Sequence, residues 1–286
     1  MHAAPSQNTP VCFLFDNGSL RPASTLSLRV TARMLAAELG VEVRATSLLH
    51  SSAVDSAGLG GQPAQLLEPA LTAFLEGNGA AEVVVLPLFF GPSGALTDYV
   101  PDRLAALAGK FPQARLRLAR WLVDPVEEGD DRIARSLADA VRRLIGGETL
   151  VRPKVVLVDH GSPQRAVTAV RDFLGRQLAV LLANEAESVA VASMEKRTGS
   201  AYAFNDPLLA ERLRMAPFDR GDVVVALQFL SPGRHAGPDG DVARICAEAR
   251  VERSELRTYL TETIASDSRV VAVLADRYRR ALQVGA

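Results

Sequence analysis

The chain has 286 residues, with 32 Lys and Arg against 33 Asp and Glu, a formal net charge of -1, 48% hydrophobic and 23% charged residues. This composition excludes a disordered chain. The balanced charge, with only 5% aromatic residues, argues against a nucleic-acid binder, which needs a basic surface or stacking platforms. At ~100–200 residues per domain, the length sets an expectation of two domains. Cys12 and Cys246 make no disulfide framework and no metal-ligand spacing, and read as buried thiols in a reducing compartment. No run approaches the ~18 apolar residues of a membrane span. Met1–Pro10 lacks the basic and apolar regions of a secretory signal, and His2 falls in a terminus expected to be disordered. The expected location is cytoplasmic, with no membrane partner.

In chain order, Val11–Asp16 reads as a strand, Ser24–Leu39 as a helix closed by Gly40, and Val41–Leu48 as a second strand. A Ser- and Gly-rich loop, Ser51–Gly61, precedes helix Pro63–Leu75, strand Val83–Phe89, helix Thr97–Leu107, strand Ala114–Ala119 and helix Asp130–Leu144. Gly146–Pro153 breaks the pattern, and the order then repeats. Strands Val155–Asp159, Ser188–Met194, Asp222–Leu230 and Leu256–Leu260 alternate with helices Gln164–Leu182, Pro207–Met215, Asp239–Ala249 and Ser268–Ala281. Continuous apolar strands between stripes of helical period predict parallel sheets covered on both faces. The fold class is α/β: two tandem (βα)4 lobes over residues 1–148 and 149–286, each a four-stranded parallel sheet flanked by helices.

The halves align with one another. Val11–Ser19 matches Val155–Ser162, Glu42–Leu49 matches Ser188–Glu195, and Val83–Ala95 matches Val223–His235. Asn17 to Ala95 spans 78 residues, and His160 to His235 spans 75. Ligands of open parallel sheets bind beyond the carboxyl ends of the strands, where all three matched blocks end. There the second lobe carries His160, Glu195 and His235, and the first lobe Asn17, Leu49 and Ala95. Two imidazoles and a carboxylate suit a mid-to-late first-row divalent metal in an open site, and the same groups can act as bases. Neither a Walker-type phosphate loop nor a Gly-x-Gly-x-x-Gly after a strand is present, so no nucleotide or redox cofactor is expected. Asp159 reads either as an orienting partner of His160 or as the holder of a structural turn. His50, Trp121 and the Tyr202–Asn205 stretch read as surface or packing residues.

Asp159-His160-Gly161-Ser162 resembles the strand-end His-Gly-Ser of the sirohydrochlorin chelatase family. Ser231-Pro232-Gly233-Arg234-His235 resembles that family's second block, and Ser193-Met194-Glu195 the end of its second strand. The resemblance covers nearly the whole chain as two chelatase-like halves. It implies a class II chelatase fold with a tetrapyrrole between the lobes, and an enzyme inserting Co2+ or Fe2+ into sirohydrochlorin in cobalamin or siroheme synthesis. The metal would be held by His160, His235 and Glu195. The ring's carboxylates would meet Arg165, Lys196, Arg197 and Arg234, the N–H groups of Gly161 and Ser162, the flexible backbone at Gly233 and, from the first lobe, Asn17. The first lobe departs from the pattern at all three site positions, which leaves a non-catalytic metal or tetrapyrrole carrier as the alternative. A periplasmic-type binder is a third reading, disfavoured by the missing export signal. Monomer and homo-oligomer are both open.

Overall fold

The computed structural model describes residues 9–283, so His2 and most of the expected disordered terminus lie outside the described residues. Two parallel sheets are present. The first contains β1 (Val11–Asp16), β2 (Val43–Ser47), β3 (Glu82–Pro87) and β4 (Arg115–Leu118) in the order β2-β1-β3-β4. The second repeats it with β5 (Lys154–Asp159), β6 (Ser188–Ser193), β7 (Gly221–Leu227) and β8 (Leu256–Leu260) in the order β6-β5-β7-β8. Central strands are sealed from water on both faces: Cys12–Phe15 and Val155–Val158 are fully buried. The edge strand β4, Arg-Leu-Arg-Leu, is only partly buried, and its arginines discourage pairing with a further strand. In each sheet the chain leaves the first strand toward one edge and returns on the other side. The switch points lie between β1 and β3 and between β5 and β7, where ligands of such sheets bind.

The helices are α1 (Pro22–Leu39), α2 (Leu67–Gly77), α3 (Val100–Lys110), α4 (Arg132–Gly147), α5 (Arg165–Leu181), α6 (Leu209–Arg212), α7 (Asp241–Glu252) and α8 (Ser268–Gln283). Gly40 closes α1 in the left-handed conformation (φ 68°), as expected. Two expected helices start late for one reason. Ser47 bridges to Leu66 and donates its N–H to Gln65, and Ser193 bridges to Leu208 and donates its N–H to Pro207. The chain is therefore held extended up to Leu66 and Leu208, and α2 and the one-turn α6 begin only beyond them. A π-helical turn, Ala95–Tyr99, precedes α3.

The compact units are not the consecutive halves 1–148 and 149–286. One unit runs to Leu122 and resumes at Ala265; the other is Val123–Ile264. Helix α4 follows the first sheet but packs on α5 and β7, and α8 follows the second sheet but packs on α1, β3 and β4. Arg142 of α4 donates to Glu185 and to the Leu181 carbonyl. Arg277 of α8, 2% exposed, donates to the carbonyls of Trp121 and Leu122. Periodicity marks a helix's apolar stripe but not the sheet that receives it, so this exchange is invisible in the sequence pattern. A fragment 123–264 is expected to give a cooperative thermal transition by circular dichroism. A fragment 149–286, without α4 and with α8 stranded from its sheet, is expected to give none. Equally cooperative transitions for both would contradict this division.

Candidate functional site

At the carboxyl edge of the second sheet, Asp159 ends β5. Its buried carboxylate accepts the Ser193 hydroxyl at 2.6 Å. Burial pushes its pKa up, against the pull of Ser193 and the nearby Arg171 guanidinium. Arg171, 2% exposed, donates to Ser193 Oγ (2.6 Å) and to the Asn205 carbonyl (3.0 Å). The fully buried Asn205 accepts the Ser162 N–H and the Thr168 hydroxyl. The Asp159 side chain bonds Ser193 at the end of β6 and makes no hydrogen bond with His160. Gly161 has φ +88°, and a Cβ there would lie 1.9 Å from the Glu195 carbonyl oxygen, so only glycine lets the loop after β5 touch the loop after β6. The His160 carbonyl then accepts the Glu195 N–H at 3.2 Å, which sets the two residues side by side.

His235 is placed by the start of α7. Its carbonyl accepts the Val242 N–H, and a Cβ on Gly240 would stand 2.6 Å from its oxygen. The rings of His160 and His235 meet edge-on with centroids 4.7 Å apart, and His160 Nε2 lies 3.5 Å from Glu195 Oε1. With Met194, Arg234, Asp241, Arg244 and Ile245 they line a cavity of about 390 Å³. His160 Nδ1 bonds the Gly161 carbonyl at 3.0 Å, and His235 Nδ1 bonds Asp241 Oδ2 at 2.7 Å. Both partners are acceptors, so Nδ1 carries the proton in each ring. Arg244 and His235 hold the Asp241 carboxyl below the usual range. Among the described residues, no three or more His, Cys, Asp or Glu form a group that could hold a metal ion as they stand. The site presents converging ligand-type groups rather than a closed cage.

The other expected residues divide. Arg234 lies at the cavity and reaches Asp241 at 3.7 Å. Lys196 is ion-paired with Asp206. Arg165 lies over the Phe204 ring, 4.9 Å from its centroid, and Arg197 is exposed. Gly233 sits in a turn closed by its N–H to the Ala236 carbonyl. One of the expected anion-binding N–H groups needs correction: that of Ser162 is taken by Asn205, and α5 begins only at Arg165. Sequence reasoning missed Asp241 and Arg244. An acid in the first turn of a helix is ordinary dipole chemistry, and only its place six residues after His235 sets it apart.

The first sheet repeats the turn without the chemistry. Asp16, Gly18 and Ser47 copy Asp159, Gly161 and Ser193, with Gly18 at φ +86° and its absent Cβ 1.8 Å from the Leu49 carbonyl. Burial pushes the Asp16 carboxyl up to about 6. The Asn17 carbonyl accepts the Leu49 N–H at 3.1 Å, so Asn17 and Leu49 stand where His160 and Glu195 stand in the other lobe. The nearby cavity, about 240 Å³, is lined mainly by Leu48, Leu49, Leu66, Leu71 and Tyr99. Exposed His50 contributes nothing to it, Trp121 packs against the core, and both cysteines are buried and free.

Comparison with known proteins agrees with this architecture. Residues 154–281 match the CbiX family, so the second repeat carries that family's sequence pattern. No curated protein matches by sequence. The sirohydrochlorin chelatase SirB from Bacillus subtilis subspecies spizizenii, in complex with cobalt, superposes with TM-score 0.68 at 13% identity, covering 97% of each chain. SirB from Bacillus subtilis with Fe3+ gives 0.66 at 14%, covering 96% of each. CbiX, described as the terminal enzyme for siroheme biosynthesis in denitrifying bacteria, gives 0.58 at 16%, covering 96% of this chain and 99% of its own. The fold is that of the two-lobe class II chelatases. Among the described residues no helix is long and apolar enough to cross a membrane.

Proposed function

We propose that this protein is a metal chelatase that inserts Co2+ or Fe2+ into sirohydrochlorin, in cobalamin or siroheme synthesis, working in the cytoplasm. One observation carries the reading: His160, His235 and Glu195 come from the loops after three different strands into one cavity at the sheet's switch point. Both imidazoles have Nδ1 committed to an acceptor, which leaves Nε2 as the free lone pair for a metal. In this reading the substrate metal is taken by His160 and His235, with Glu195 as third ligand or as base. Insertion releases two pyrrole N–H protons: Glu195 accepts one and an imidazole freed of the metal accepts the other as the metal transfers. Arg234 and Arg244, at the cavity, suit the carboxylates of the ring. The arrangement of three separate side chains favours a metal that is captured and released over one held permanently.

The test is anaerobic incubation of the full chain with Co2+ and sirohydrochlorin, followed by the change in the tetrapyrrole absorption bands. Multiple turnovers above the uncatalysed rate are expected. Stoichiometric binding without turnover would replace the enzyme by a carrier, and no binding of metal or ring would end both readings.

A further inference from the structure

We infer that Asp241 is a positioning residue that fixes the tautomer and orientation of His235, an inference that rests on the proposed metal-handling role of that imidazole. His235 lies in a loop, and a loop imidazole free to rotate would present either nitrogen, protonated or not, to the cavity. Three contacts remove that freedom. Asp241 Oδ2 accepts Nδ1–H at 2.7 Å, the Val242 N–H holds the His235 carbonyl, and Gly240 leaves room for that carbonyl against the chain. Asp241 is itself aimed: Arg244, one turn along α7, donates to Oδ1 at 2.7 Å, while Arg234 Nε stays 3.7 Å from Oδ2, beyond hydrogen-bond distance. The carboxylate therefore keeps Oδ2 for the ring, and Nε2 faces the cavity as a lone pair. A carboxylate behind an imidazole both orients it and strengthens it as a ligand, and its loss typically costs about 10–100-fold in metal affinity or activity. His160 has only a backbone carbonyl in the same role, so the two imidazoles are held by unequal partners.

The experiment uses the full chain with 15N-labelled histidine near pH 8, where imidazoles are mostly neutral. Long-range 15N–1H spectra report which ring nitrogen carries the proton, with no metal or tetrapyrrole present. Wild type is expected to show His235 as the Nδ1–H form. Asp241→Asn, whose amide can donate to Nδ1, is expected to shift the ring toward Nε2–H and to lower the kcat of Co2+ insertion about 10–100-fold with little change in KM for the ring. Asp241→Glu is expected to restore the Nδ1–H form and part of the rate. Arg244→Gln is expected to leave the Nδ1–H form in place. An unchanged His235 tautomer in Asp241→Asn, or an equal shift in Arg244→Gln, would overturn the assignment to Asp241. A wild-type chain that inserts no metal would end the chelatase reading while the tautomer spectra still decide this one.

Discussion

His160→Ala and His235→Ala are each expected to lower Co2+ insertion at least ~100-fold, the scale on which positioned acid–base and ligand groups act. Each imidazole is then replaced by a methyl group that can neither bind a metal nor take a proton. Truncation should barely alter folding, because the His160 and His235 side chains are 47% and 30% exposed and neither is part of a core cluster. Such positions usually change stability by ~0.5 kcal/mol or little more. A thermal melt within a few degrees of wild type, together with abolished turnover, is the expected pair of results. Undiminished insertion in both variants would sink the role given to the two imidazoles.

Gly161→Ala is expected to be the most damaging small substitution in the second lobe, at ~3 kcal/mol or more. Two costs add. The backbone at φ +88° is one that L residues rarely adopt, worth ~1–3 kcal/mol. The new Cβ would also stand 1.9 Å from the Glu195 carbonyl, a backbone atom with no side-chain freedom to yield. Relief requires parting the loops after β5 and β6, which breaks the His160–Glu195 backbone bond and moves both candidate ligands. Gly18→Ala is the matched control, with the same clash against Leu49 in the first lobe. Both variants should lose stability in chemical denaturation. In each fold that survives, only Gly161→Ala should also lose metal insertion directly at the site. Equal activity loss in the two variants would show that the damage is global and not at the His160–Glu195 junction.

The strand ends were the most legible part of the chain. β1 matches the expected residues and β5 differs by Lys154 alone, because buried central strands read as unbroken apolar runs; the edge strand β8 also matches. The repeat was legible for a related reason. Asp-x-Gly-Ser after the first strand of each half is needed by the same turn, and the carbonyl contacts of Gly18 and Gly161 confirm the alignment residue by residue. Asp241, Asn205 and Arg171 were not legible as a set. Each acts through a partner distant in the chain or hidden by local convention: a helix-start acid, a loop amide and a helix arginine look alike whether they are buried or bathed in water. The N–H group of Ser162 failed for the same reason, since sequence shows a donor but not whether the fold has already used it.

By itself, the sequence determined two (βα)4 repeats, the strand ends where the candidate site residues fall, and the inequality of the lobes at His160, Glu195 and His235 against Asn17, Leu49 and Ala95. These follow from short-range rules: the period of the apolar residues, and glycine where a turn needs it. Tertiary structure decided that α4 and α8 each cover the sheet they do not follow. It also decided that the site is framed from behind by Asp241 and Arg244, while three of the expected cations serve elsewhere or face solvent. A helix's apolar stripe and a carboxylate's charge are both satisfied by any suitable partner within reach. Which partner lies within reach is a property of the packed chain.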